Sequence, residues 1–421
     1  MKLFKTTFYS GIIAVLRLSA GFISTKIIAM LIGAAGVAVV GSFANLITIV
    51  LSFGNGAIGN GVVKYVAEYK SDERKSNLVI ANALKISIFC SVFFGGIIFF
   101  GAHYISKLIF SVNDYINPIR ALGGTLIFYS LNSIFISILN GKGQINKYTS
   151  VNTIGTVVGL IITCILVYFF KVEGALYALV LSQSMIFFIT LLLISKEPWV
   201  SFDFLKAKLD KAILKDFSHF TLMALVTAVT IPISQLWLRN MVTDKFGIDD
   251  AGIWQGMMRI SDAYLMVVSL ALSTYYLPKL SSLKYKFEIK KEIYKGYLIL
   301  TPTIILGCIV IFSLKHFIIE LLYTKEFQKM ADLFFWQLVG DFFKILSYLL
   351  AFLMLAKRKT ILYIVTEILF SLLYVLSGYY FTENYGLIGI TMAFSITYAI
   401  YFLIMIVSFY SYLKNIKIEE V

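Results

Sequence analysis

Seven ionisable side chains stand inside long apolar runs of this chain: Arg17, Lys26, Arg259, Asp262, Asp341, Lys344 and Glu367. A charge at bilayer depth costs about 2.5–3.5 kcal/mol on insertion scales, so such residues face a protein interior or a watery cavity and mark a pathway or a ligand site. Arg259 and Asp262 are three apart, as are Asp341 and Lys344, which puts each pair on one helix face. Either pair can neutralise itself or present both charges to a ligand. Arg17 and Lys26 have no acid in their own run and lie nine residues apart, about 180° round a straight helix. Both address one cavity only if the helix bends, and Gly21 lies between them. Otherwise one of them reaches an acid of another run, such as Glu367 or Asp341. Lys85, Arg120 and Arg239 sit nearer run ends, where long side chains can snorkel. With these three the interior is basic, which suits an anionic substrate such as a phosphate group. Arg17, Lys26, Arg259 and Lys344 are therefore candidate substrate ligands. Asp262, Asp341 and Glu367 are the only deep acids, and are candidates for ion coupling or static charge pairing.

The elements that hold these residues follow from composition. Of 421 residues, 59% are hydrophobic and only 14% charged, against roughly 25% charged in ordinary globular chains. That excludes a soluble enzyme, a disordered chain and a disulfide scaffold. Barrel strands alternate polarity over about ten residues, whereas Val151–Phe170 is mainly apolar throughout. The fold class is therefore all-α and integral to a membrane. Twelve spans are expected near 8–32, 37–62, 78–102, 119–139, 149–170, 174–195, 217–242, 251–277, 296–314, 332–356, 360–381 and 386–412. The opening MKLFK and its apolar run read as the first span and not as a cleaved leader, because Arg17 interrupts the run.

Lysine and arginine alternate between the two sides of these spans, 24 on one and 6 on the other. The richer side holds both termini and is expected to be cytoplasmic. Cations clustered in this way are topology signals and do not point to nucleic acid. Cys90, Cys164 and Cys308 lie in apolar runs with no metal or disulfide spacing, and no cofactor is implied. Gly54, Gly56 and Gly59 fit G-x-G-x-x-G, but within an apolar span and without a βαβ unit. The glycines mark either a weak point where the second span bends, with Gly54 and Gly56 as hinges beside Gly21, or close helix packing.

Three matches in order suggest an internal duplication. Ala35-Gly36-Val37 corresponds to Ala251-Gly252-Ile253, Leu139–Lys142 to Leu355–Arg358, and Gly174-Ala175-Leu176 to Gly386-Leu387-Ile388. Six spans per copy is an even number, so the copies are parallel. Two six-helix bundles, 1–200 and 201–421, are expected to form a V-shaped central cavity and to rock about it. The charges are not repeated: the positions matching Asp341 and Lys344 hold Thr125 and Phe128.

Several stretches resemble the polysaccharide-exporter branch of the multidrug/oligosaccharidyl-lipid/polysaccharide flippase superfamily. They are GNGVVKYVAEY at Gly59–Tyr69, FTLMAL at Phe220–Leu225, GIWQG at Gly252–Gly256, ISDAYL at Ile260–Leu265, YLPKLS at Tyr276–Ser281 and WQLVGD at Trp336–Asp341. The family's basic positions in its first span match Arg17 and Lys26, its acids match Asp262, Asp341 and Glu367, and a lysine matches Lys344. Arg259 has no basic counterpart in that pattern. The resemblance implies a flippase that carries undecaprenyl-diphosphate-linked oligosaccharide, of the common-antigen or O-antigen kind, from the cytoplasmic to the periplasmic leaflet of the inner membrane. A polysaccharide polymerase and a chain-length regulator would act beside it. A multidrug/cation antiporter of the same superfamily is the alternative, disfavoured by the basic excess. A membrane polymerase or ligase is disfavoured by the short loops.

Overall fold

The computed structural model describes residues 2–200, 210–283, 285–357 and 360–414. They form thirteen α-helices and one 3-10 turn: α1 Lys2–Gly54, α2 Gly59–Glu68, α3 Glu73–Phe100, α4 Ala102–Phe110, α5 Ile116–Gly141, α6 Ile145–Ile194, α7 Lys211–Phe246, α8 Ile248–Ser282, α9 Lys286–Ser313, α10 Lys315–Leu322, the 3-10 turn Lys325–Asp332, α11 Phe334–Ala356, α12 Thr360–Tyr385 and α13 Ile388–Lys414. No strand occurs among the described residues.

Among the described residues, nine stretches are long and apolar enough to cross a membrane. Two of them, Ile13–Gly54 and Ile145–Ile194, run 42 and 50 residues, about twice what one crossing needs. Each contains a break. In α1 it is Gly33 (φ 67°, ψ −167°), a conformation that side chains exclude. In α6 it is Lys171 (φ 51°, ψ −125°), just after the Tyr168-Phe169-Phe170 run. α8 spans 35 residues but carries Arg259 and Asp262 in its middle, which lowers its hydropathy. With the two breaks and α8, the described helices supply the twelve expected spans.

The chain divides into two compact units, Met1–Leu236 and Trp237–Val421. The division falls inside α7 and not in the charged connection before it. Packing explains this on the first unit's side. Phe217, in the first half of α7, is buried in a cluster with Ile58, Val62, Tyr65 and Phe135. The first unit is held by α3 on α5, α1 on α6 and α5 on α6, and the second by α11 on α13, α12 on α13 and α8 on α11.

The duplication extends to parts that the sequence reading did not mark. Short helices α4 and α10 each follow the third span of a half. A Cβ on Gly174 would lie 1.9 Å from the Leu166 carbonyl oxygen, and one on Gly389 would lie 2.0 Å from that of Phe381, in both cases eight residues back. The structural counterpart of Gly174 is thus Gly389, three residues beyond the glycine matched by sequence.

Candidate functional site

In the first unit, α1 runs helically through Gly21, which is exposed and has open space around it. Arg17 is exposed, and its guanidinium donates to the side-chain oxygen of Asn152 on α6. Asn152 is buried and is itself fixed by donating to the Tyr148 carbonyl at 2.7 Å. A neutral amide therefore holds Arg17 in place and leaves its charge uncompensated by that contact. Lys26 is half-buried further along the same helix. The spans of this unit carry no deep acid.

The second span does leave helical form between Gly54 and Gly59. Gly56 (φ 67°) and Ala57 (φ 52°) are left-handed, and the freed backbone groups find partners. Asn55 Oδ1 accepts from the Ala57 amide at 2.8 Å, and the Gly56 carbonyl accepts from Thr221 Oγ1 on α7 at 3.2 Å. Non-helical backbone survives in a membrane only when it is satisfied in this way. Gly54 is also tightly packed: a Cβ there would meet Ser130 Oγ at 2.9 Å. The two sequence readings of these glycines, bend and close packing, are both present.

In the second unit Asp262, Asp341, Lys344 and Glu367 come from three helices, α8, α11 and α12, and lie near aromatic rings of a fourth, α13. Asp341 on α11 is fully buried. Ser261 Oγ on α8 lies 2.8 Å from both its carboxylate oxygens, and Tyr264 also donates to it. Gln337 Nε2, one turn earlier on α11, donates at 3.4–3.5 Å. Polar side chains thus stabilise this carboxylate in place of an ion-paired cation, and the bonds from Ser261 and Tyr264 tie α8 to α11.

Lys344 lies one turn further along α11. Its ammonium sits 5.2 Å from the Tyr398 ring and 5.5 Å from the Phe394 ring, both on α13. The fields of three carboxylates reach it: Asp262 on α8, Asp341 on its own helix and Glu367 on α12. Asp262 is exposed and Glu367 half-buried, and neither accepts a hydrogen bond from a described residue. Among the described residues, no ion pair within 4.0 Å joins Arg259 to Asp262 or Asp341 to Lys344. The three-residue spacing put both pairs on one face, but Asp341 turns to α8 while Lys344 turns to the rings of α13.

Arg239 corrects the sequence reading. It is only 2% exposed and does not snorkel. Its guanidinium donates to Gln255 Oε1 and lies 5.8 Å from the Trp254 ring. Ser261, Tyr264, Gln255, Phe394 and Tyr398 went unrecognised because neutral residues in a span carry no charge signal. Gln337 had one: it precedes Asp341 by four residues and so shares its face.

No group of three or more His, Cys, Asp or Glu side chains is placed to hold a metal ion among the described residues. The hydroxyls that stand beside a carboxylate among the described residues of these two sites, Ser261 and Tyr264 on Asp341, serve a side chain that is fully buried. The arrangement can bind an anion through Arg17 and the half-buried Lys26 and exchange a proton or small cation at Asp262 or the half-buried Glu367. It is not equipped for covalent chemistry.

Comparison with known proteins bears on the family and the fold. A family model described as polysaccharide biosynthesis protein matches residues 3–284. The chain is 28% identical over 402 residues to the lipid III flippase of Escherichia coli (strain K12), covering 96% of this chain and 97% of that protein. The lipid III flippase of Shigella flexneri matches equally. Among solved structures, an inward-facing multidrug resistance MATE family transporter of the MOP superfamily superposes with a TM-score of 0.79 at 16% identity, over 97% of this chain and all of the other. A MOP superfamily transporter from Pyrococcus furiosus, whose description notes a binding pocket of reversed polarity, gives 0.63 at 15% identity, over 96% of each chain. At these identities the likeness is one of fold.

Proposed function

We propose a function for this chain, which belongs to the polysaccharide biosynthesis protein family, as a flippase for undecaprenyl-diphosphate-linked oligosaccharide. The protein is a multi-pass membrane protein, and the reading is of a transporter, not an enzyme. The observation that carries the substrate class is Arg17. It is exposed, anchored on a neutral amide, and sits in a unit whose spans hold cations without acids. Such a cation is ready for a diphosphate, while the prenyl tail stays in lipid. The near full-length likeness to two lipid III flippases supports the same substrate class. Transport runs from the cytoplasmic to the periplasmic leaflet of an inner membrane by alternating access of two six-span halves. The lysine and arginine asymmetry supports cytoplasmic termini. A polysaccharide polymerase and a chain-length regulator are the expected partners.

The coupling ion, in this reading, is exchanged at Asp262 or Glu367 and not at Asp341. Asp262 is exposed and Glu367 half-buried, and both lie near Lys344 without a hydrogen bond from a described residue, whereas Asp341 is fully buried and engaged by hydrogen-bonding side chains. The test is complementation of a flippase-deficient strain with Arg17→Ala and Lys26→Ala at equal expression. Loss of polysaccharide export in both is expected. Full export in both, or restored drug resistance in place of export, would defeat the proposal and favour the antiporter.

A further inference from the structure

Where α11 ends, α12 begins and α13 ends, the second unit has a groove of about 330 Å³. Its floor is apolar, made of Leu350, Leu353 and Met354 from α11, Leu362 from α12, and Met405 and Phe409 from α13. Its polar residues include Lys357 at the end of α11, and Ser411 and Tyr412 near the end of α13. Leu350 lies seven residues in from Lys357, and Met405 seven in from Tyr412, about 10 Å of helix in each case. The groove is thus polar and cationic at one end and, apart from Ser408, apolar for two turns beyond it, which is the profile of an acidic headgroup followed by a hydrocarbon chain. None of its lining residues is an acid. Arg358 and Lys359 follow Lys357 in sequence, and Lys414 ends α13.

Lys357 is half-buried and donates to the carbonyl of Leu283, the residue that ends α8. An ammonium has three donors, so two are left for a ligand. Burial also pushes this ammonium below its ordinary value, a penalty that a bound anion would relieve. Basic pockets between helices on a cytoplasmic face are where acidic lipid headgroups bind.

We propose that this groove binds an anionic phospholipid, with its phosphate on Lys357, Ser411 and Tyr412 and an acyl chain along Leu350, Met354 and Met405. A headgroup there would be one contact from the α8–α9 junction, so bilayer composition would bear on the element that carries Asp262.

The experiment is native mass spectrometry of the full-length protein in detergent with dioleoylphosphatidylglycerol or dioleoylphosphatidylcholine. Wild type should retain the anionic lipid about fivefold better, the worth of one lysine near an anionic headgroup. Lys357→Gln should erase the preference and Lys357→Arg keep it. Ser408→Trp, which fills the groove, should lose the bound lipid, and Lys295→Gln, outside it, should change nothing. Melting curves of each variant show that it is folded, and Lys357→Arg with Ser408→Trp decide the matter if Lys357→Gln is not. Equal retention in Lys357→Gln, Ser408→Trp and wild type overturns the proposal. Displacement by millimolar inorganic phosphate makes the groove a soluble-anion site and also overturns it. One-way displacement by undecaprenyl phosphate assigns the groove to the substrate's own carrier and overturns it too, while leaving the flippase reading intact.

Discussion

Replacing Asp341 and Asp262 with Asn, one at a time, separates holding the fold from moving the substrate. Asp341 is fully buried and is bonded by Ser261 and Tyr264 of α8 and by Gln337 of its own helix. Hydrogen bonds between membrane helices average about 0.6 kcal/mol each and reach about 1.7. Those to a charged group are stronger in general, at about 1.5–3 kcal/mol. Asn keeps the shape and one acceptor oxygen, but it turns an NH₂ group toward donors. The Ser261 and Tyr264 hydroxyls can turn to accept from that group, but Gln337 Nε2 can only donate, and every remaining bond loses its charge, so Asp341→Asn should cost about 2 kcal/mol. Asp262 is exposed and accepts no hydrogen bond from a described residue. Asp262→Asn removes no such bond and should therefore cost less than Asp341→Asn, about 1 kcal/mol or below. Unfolding by titrated denaturing detergent gives the stabilities, and substrate flux in vesicles under a proton or sodium gradient gives the transport. Asp341→Asn should be unstable but gradient-responsive where folded, and Asp262→Asn or Glu367→Gln stable but without gradient response. Equal loss of stability in the two variants, or a gradient response that survives in Asp262→Asn and in Glu367→Gln, would refute the division of roles.

The remaining outcomes concern backbone and charge. Gly33→Ala forces a side chain into a region tolerated essentially by glycine alone and should cost about 1–3 kcal/mol in the same unfolding assay. Gly174→Ala and Gly389→Ala should both be severely destabilising, because the new Cβ would strike a backbone carbonyl, whereas Gly124→Ala meets nothing within 4 Å and should be neutral or better. Equal tolerance at Gly174 and Gly124 would sink that account. Lys147 and Gln144, at the start of α6, hydrogen-bond Glu197, just past its end, and hold its carboxyl below the usual glutamate value. A depressed carboxyl stabilises the fold above its unfolded pKa and loses that contribution as pH falls through the folded one. Wild type should therefore lose more thermal stability than Glu197→Gln on acidification below about pH 4.3, and parallel curves would show that the contact contributes nothing. Asn152→Ala should loosen Arg17 and lower export while leaving expression intact, with Asn152→Gln rescuing part of it.

Hydropathy made the spans legible because crossing a bilayer is a demand on each segment alone. The gaps expected after residues 32 and 170 contain Gly33 and Lys171, where the helices turn back. The short helices α4 and α10, nine and eight residues long, gave no such signal, since nothing that short can span. The charged residues were legible as a set for the same reason: a charge in an apolar run is visible one residue at a time. What each touches was not. Spacing states which residues share a helix face, and Asp341 and Lys344 share one; packing decides what that face meets, and between them it meets Ser261 and Tyr264 on α8 and Phe394 and Tyr398 on α13. Arg239 makes the same point in reverse. Its place near a span end suggested water, yet Trp254 and Gln255 on the next helix enclose it. A neutral residue that completes a charged site costs little to insert and leaves no trace in hydropathy, so the partners of a membrane charge emerge only when the helices are packed together.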